Sequence, residues 1–354
     1  MKAPARPGRL STQAARLAAA IALTAWLPAS AATPVHRQFA DWTVTCDNGL
    51  RCVALGAEED GGRLLSIERD AGPHAAPRVE LIGAAGGFVD ATPLRFPAPA
   101  WSTDDAGDFQ SPTTSDLAAT QRFIDAIRNG RRLRPGADAQ DGGIPLRGLS
   151  AALLLIDELQ GRLDTRGALL RRGERGDERV PAAPALPVLQ AAPPPAPLAD
   201  ADATALVATV RRLQADTLAQ EDCYEATVLD QAWALTDTQA LVQVGCLMGA
   251  YQGSGLLFQV ARRDASSARR LQLPSVPGEP AMTMLTSADY DPATGQLAHY
   301  AKGRGLGDCG ETAQWIFDGK RFQLAQYASM ERCAGAHADH WPTRWRSRVA
   351  GGTP

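Results

Sequence analysis

At 354 residues, 45% of them hydrophobic, the chain is long enough for one large or two ordinary domains with buried cores, and two is the expectation. Its formal charge of −3 becomes −7 once residues 1–32, which carry Lys2, Arg6, Arg9 and Arg16 and no acid, are set aside. A mildly acidic chain of this kind is a poor nucleic-acid binder.

The N-terminus reads as a secretory signal. The four cations precede an apolar run from Leu17 to Leu27 and the small residues Ala29-Ser-Ala-Ala32, which predicts cleavage after Ala31 or Ala32, a retained anchor being the alternative. No Cys follows to accept a lipid, and no later stretch could span a bilayer. The expected location is the periplasm or outside the cell. Export makes disulfides the default for the six cysteines, and nearest-neighbour pairing gives Cys46–Cys52, Cys223–Cys246 and Cys309–Cys333. Each bridge should contribute roughly 2–4 kcal/mol on a loop-entropy basis.

After the signal, Phe39-Ala-Asp-Trp-Thr-Val-Thr-Cys46 alternates, Asp47-Asn-Gly49 offers a turn and Cys52-Val-Ala-Leu55 returns, a disulfide-pinned hairpin. Arg63 to Glu68 and Arg78 to Ile82 predict two further strands, and the Pro-rich stretch Pro93 to Pro99 breaks the pattern. Ser115 is positioned to cap a helix carrying Leu117, Ile124 and Ile127 that ends at Gly130; a second helix runs from about Ser150 to Gly161. Residues 33–172 thus read as an α+β domain. Residues 173–203, with Pro181, Pro184, Pro187, Pro193, Pro194, Pro195 and Pro197, read as a semi-rigid Ala/Pro linker, preceded by a solvated charged stretch, Arg171 to Arg179.

Residues 204–350 open with an amphipathic helix through Leu206, Val207, Val210 and Leu213. Strands are predicted at Gln231 to Thr236, Ala240 to Cys246, Leu256 to Ala261 and Gln296 to Ala301. Trp315-Ile-Phe-Asp-Gly-Lys-Arg-Phe322, with Asp-Gly between apolar runs, is a strong hairpin signal. The predicted fold class is α+β overall: two β-rich domains of mainly antiparallel sheet with a few helices, disulfide-bonded.

The most specified segment is His299-Tyr-Ala-Lys-Gly-Arg-Gly-Leu-Gly-Asp-Cys-Gly310, with four glycines, and it holds one of only two lysines after the signal, Lys302 and Lys320. It contains G-x-G-x-x-G at Gly305, Gly307 and Gly310, but a dinucleotide site needs a helix next and a hairpin follows. Lys302 and Arg304 with the glycine amides could form an anion-binding nest, or Asp308 and Glu311 could already neutralise the two cations internally. Cys333, His337 and His340 have zinc-compatible spacing, although pairing of Cys333 with Cys309 would remove the thiolate; no metal and no cofactor is expected. Trp341 and Trp345 either make an exposed aromatic platform for a glycan or peptide or pack as core. Asp157-Glu158 beside an apolar run could supply one buried acid. G-x-S-x-G, H-E-x-x-H and P-loop signatures are missing.

Trp42-Thr-Val-Thr-Cys-Asp-Asn48 with Cys52, Gly148-Leu-Ser-Ala-Ala-Leu-Leu-Leu-Ile-Asp-Glu-Leu-Gln-Gly161, and Lys302-Gly-Arg-Gly-Leu-Gly-Asp-Cys-Gly310 with Trp315 and Trp341-Pro342 resemble domain-of-unknown-function family 1176 over essentially the whole chain after the signal. The resemblance implies an exported protein of Gram-negative bacteria and supplies no catalytic residues. The first half is also weakly similar to invasion-associated locus B proteins. The functional expectation is a periplasmic, non-enzymatic binding or interaction protein, with an unknown protein or an anionic or glycan partner in the cell envelope; its specific version is an inhibitor of a cell-wall enzyme with Lys302 entering an acidic cleft. The alternative is an envelope hydrolase acting on peptidoglycan or polysaccharide. Candidate ligand-binding residues are Lys302, Arg304, Asp308, Trp341 and Trp345, with no catalytic residue assigned.

Overall fold

The computed structural model describes Met1 and residues 31–351 apart from 59–61, 84–86, 91, 107–108, 136–141, 225 and 336, so the expected signal segment lies almost wholly outside the described residues. The first strands are β1 (Val35–Phe39), β2 (Trp42–Cys46), β3 (Cys52–Ala57), β4 (Leu64–Arg69) and β5 (Pro77–Ile82). Then come β6 (Gly87–Val89), β7 (Thr92–Leu94), β8 (Ser102–Ala106) and β9 (Phe109–Thr114). Helix α1 (Leu117–Ile127) is capped by Asp116, which accepts from the Ala119 amide, one residue later than the Ser115 expected. Two short strands, β10 (Arg132–Pro135) and β11 (Ile144–Pro145), precede α2 (Leu149–Leu159). The main sheet is antiparallel with order β1-β2-β3-β4-β5-β9-β8.

Every residue of β3 is buried, which a strand achieves only when both sheet faces are covered. Ala54 and Cys52 face α1 and α2 in a core with Trp42, Ile67, Phe123, Ile124, Leu153 and Ile156. Val53, Leu55 and Ala57 face the other way, into a core shared with Ala328, Met330, Ala334 and Trp341 from the far end of the chain. The alternation of β3 therefore joins the two halves of the sequence.

The C-terminal half begins with β12 (Val188–Leu189), α3 (Asp200–Leu213) and α4 (Ala215–Gln220). It continues with β13 (Gln231–Ala234), β14 (Gln239–Met248), β15 (Gly253–Ala261), β16 (Asp264–Arg270), β17 (Leu285–Thr286) and β18 (Asp289–Asp291). It closes with β19 (Gln296–Lys302), β20 (Gly310–Phe317), β21 (Phe322–Met330), β22 (Thr343–Arg346) and β23 (Arg348–Val349). Two antiparallel sheets, β13-β14-β15-β16 with β17 beside β15, and β18-β19-β20-β21-β22, pack through Trp233, Leu241 and Leu257 against Leu297, Trp315 and Phe317. The apolar face of α3, with Leu206, Val207 and Val210, covers Ala240, Val242 and Val244 on the outer face of the first of these sheets. The molecule is therefore a stack: helices, seven-stranded sheet, two five-stranded sheets, helix. It is mostly antiparallel β with few helices, so the α+β expectation fits only loosely.

The Ala/Pro-rich segment is extended and lies on this stack. Val188 and Leu189 pair in parallel with Arg348 and Val349, the Ala192 amide donates to the Phe317 carbonyl at 2.9 Å, and Leu189 is buried. The charged stretch before it is also tied down. Asp157, fully buried, accepts from the amides of Leu169 (2.8 Å), Leu170 (2.8 Å) and Arg171 (3.2 Å), while Glu158 is exposed. Burial pushes the Asp157 carboxyl up, against those three bonds and the nearby Arg69. Arg69 and Arg162 are themselves buried beside it, and desolvation lowers the Arg69 guanidinium to about 10.

Candidate functional site

The glycine stretch is the connection between β19 and β20, whose register pairs Lys302 with Gly310. Hairpin closure is set by local geometry. Gly310 has φ +140°, and a Cβ there would fall 2.0 Å from the Ala301 carbonyl oxygen, so no other residue fits. The Gly303 amide donates to the Cys309 carbonyl at 2.7 Å and the Gly307 amide to the Arg304 carbonyl at 2.9 Å, which makes a tight turn of residues 304–307. The disulfide Cys309–Cys333 ties the loop to the segment after β21. All three disulfides form the nearest-neighbour pairs expected from the sequence.

The two cations of the loop have different fates. Arg304 donates through Nε and Nη2 to Asp308 Oδ1 and Oδ2 at 2.7 and 2.5 Å, a bidentate pair in which the acid is buried and the guanidinium half-exposed. Arg304, desolvation working against it, and the Gly335 amide at 2.8 Å hold the Asp308 carboxyl down to about 2. Lys302 has no carboxylate partner among the described residues; its Nζ lies 5.9 Å from the Tyr300 ring centroid, in cation–π reach. Its backbone is clamped by Gln252, which accepts from the Lys302 amide (2.8 Å) and donates to its carbonyl (3.0 Å). Glu311 does not neutralise Lys302. It accepts from His299 Nε2 (3.2 Å) and Tyr327 (2.5 Å) instead.

Around the loop, apolar side chains face solvent. Leu306 at the tip is 80% exposed and Tyr251, whose ring lies against Gly305, is 75% exposed. Leu247, Met248 and Tyr224 continue the surface, the Tyr224 hydroxyl bonding the Met248 backbone and the Cys223–Cys246 disulfide fixing the chain beneath. Several exposed large apolar side chains on neighbouring loops are what a docking partner would cover.

The two tryptophans do not share a face. Trp341 is 4% exposed, stacked on Tyr300 at 5.8 Å in the core between the sheets, whereas Trp345 is half-buried on the opposite side of its sheet and donates to the Leu324 carbonyl at 3.1 Å. Cys333 is oxidised, His337 bonds Asp339 at 3.0 Å and His340 approaches Glu80 at 3.9 Å, so the C-x3-H-x2-H spacing does not converge on one point.

The polar cluster of His299, Glu311 and Tyr327 was not legible in the sequence, because its members sit on three strands. His299 Nδ1 accepts from the Thr286 amide at 3.0 Å, which places the proton on Nε2, facing Glu311. Those hydrogen bonds, His299 first, hold the Glu311 carboxyl below its usual range, and burial with Glu311 pushes the Tyr327 phenol up. The result is an ionised, doubly hydrogen-bonded carboxylate rather than a proton donor.

These features belong to a β-rich, disulfide-bonded protein with a braced surface loop, and the family is identifiable. The chain belongs to the family described as "Protein of unknown function (DUF1176)", whose model matches residues 36–348. It is 35% identical over 346 residues to the "Uncharacterized protein YpfG" of Escherichia coli (strain K12), covering 90% of this chain and 94% of that relative. No solved structure matches. Nothing in these comparisons carries the weaker similarity to invasion-associated locus B proteins.

Proposed function

We propose that this is an exported, non-enzymatic binding protein that presents its 303–309 loop to another protein of the cell envelope. The observation that carries the reading is the unequal treatment of the two cations: Arg304 is consumed by Asp308, while the half-buried Lys302 is left without an acidic partner among the described residues, its stem beside Gly307, which follows the exposed Leu306 in the chain. Fixing that backbone with a disulfide and the Gln252 clamp lowers the ordering cost of association. A concave acidic site with an apolar wall fits it best, as in an enzyme that acts on envelope polysaccharide, which makes inhibition the specific version of the proposal. Three disulfides support an oxidising compartment. In the hydrolase alternative a carboxyl must give a proton, whereas Asp308 and Glu311 are both held ionised.

The test is a pull-down from periplasmic extract with wild type, Lys302→Ala, Leu306→Asp and, as a control away from the loop, the exposed Arg263→Ala. A protein captured by wild type and control but lost by both loop variants supports the proposal. The same captured set from all four baits rejects it.

A further inference from the structure

A second, separate site lies at the other end of the β20–β21 hairpin, roughly 24 Å from the glycine loop by the rise of the eight-residue strand β20. It is a groove of about 600 Å³ between the β20–β21 turn, β22 and residues 271–281, within the size range of small-molecule sites. Its floor is apolar, with Leu273, Leu324 and the half-buried Trp345. One wall is supplied by Pro187 and Leu189 of the docked Ala/Pro segment, which its pairing with β23 holds in place.

The charge of the lining is one-sided. Arg269, Lys320 and Arg321 line it, all exposed, and none of the lining residues is an Asp or Glu. Arg269 donates to the neutral Gln259 Oε1 at 2.9 Å, and Lys320 has no carboxylate partner among the described residues. Arg321 is partly balanced by Asp318 at 3.9 Å, an acid of the turn itself whose carboxylate is occupied by the Lys320 and Arg321 amides (2.8 and 2.9 Å) and by Gln323 Nε2 (2.7 Å). An apolar floor with a cationic rim complements a ligand that joins an apolar chain to an anionic head. The indole edge of Trp345 is already satisfied by Leu324 and Ser347 at 3.1 Å each, which leaves its ring as an apolar wall.

We infer that this groove binds a free single-chain fatty acid, the chain lying over Leu273, Leu324 and Trp345 and the carboxylate meeting Lys320 and Arg269. The inference does not depend on the glycine loop, and loop variants leave it untouched.

The probe is dodecanoate below its micellar concentration, titrated by calorimetry and by tryptophan fluorescence, with dodecyltrimethylammonium as the chain-matched cation. Expected is saturable 1:1 binding of dodecanoate, at least tenfold weaker in the Arg269→Glu, Lys320→Glu double variant, with the cation binding the double variant better than wild type. Trp345→Phe should abolish the fluorescence change while calorimetric binding remains. Circular dichroism confirms that the exposed double variant folds. Equal affinity for the two amphiphiles, an affinity indifferent to the charge reversal, or uptake seen only as partition into phospholipid vesicles would each overturn the inference.

Discussion

Replacing Arg304 by Ala removes both side-chain donors of Asp308 and leaves its buried carboxylate with the Gly335 amide as the remaining donor from outside the loop. The structure sets the size of the effect. Lowering the Asp308 carboxyl from 3.8 to about 2 corresponds to about 2.4 kcal/mol at 1.36 kcal/mol per unit. Arg304 is the largest cause of that shift but not its whole, the Gly335 amide and the Asp308 backbone remaining in the variant, and it is 46% exposed, so solvent screening brings the expected loss at neutral pH to about 1–2 kcal/mol at most. Lys302→Ala, with no ionic partner to orphan, should stay within about 0.5 kcal/mol. The sign of the pH dependence follows from the depressed folded-state value. The stabilisation is fully present above the unfolded value near 3.8 and is lost as pH falls toward 2, so about half of the gap between wild type and Arg304→Ala should have closed by pH 3. Urea denaturation of wild type and both variants at pH 7 and pH 3 measures this. A loss of 1–2 kcal/mol in Lys302→Ala would show an internal partner and remove the basis for its role in docking; a gap for Arg304→Ala that is the same at both pH values would refute the ion-pair account.

Asp157→Ala should cost about 3 kcal/mol or more in urea denaturation, since the amides of Leu169, Leu170 and Arg171 lose their acceptor and the buried Arg69 loses a neighbouring negative charge, while Glu158→Ala stays within about 0.5 kcal/mol; equal effects would contradict the anchoring role. The division into 33–172 and 204–350 is itself a proposal, and limited trypsin digestion should nick first between Arg171 and Ala203, at the exposed Arg179 beyond the residues that Asp157 and Asp164 tie down. The two folded fragments should co-elute in gel filtration, held by the core of Val53, Leu55, Met330 and Trp341; degradation without stable fragments would refute the division.

Much was set by local sequence. Alternation fixed β2 and the β20–β21 hairpin, because a period of two places apolar side chains on one face whatever the neighbours are, and β3 followed as the return of the turn at Asp47-Asn-Gly49. Short spacing fixed the cysteine pairs, since a thiol 6, 23 or 24 residues away within one set of strands is its nearest partner. The glycines of the 303–310 loop announced a tight turn because Gly310 needs a backbone no other residue adopts.

Other features came only from the assembled stack. The strand β16, Asp-Ala-Ser-Ser-Ala-Arg-Arg, is polar and carries no strand signal; it exists because β15 offers it an edge. Asp47 and Asn48 read as turn residues, yet Asn48 exchanges two 2.8 Å bonds with Arg346, 298 residues away, and Asp47 pairs with the same arginine. Nothing local distinguishes a turn amide that faces solvent from one that locks a distant strand. The same holds for the loop cations, which are alike in sequence: Arg304 is four residues from an acid it reaches, while Lys302 lies on a strand opposite Gly310, which has no side chain to meet it, and only the packed backbone decides which charge is left for a partner.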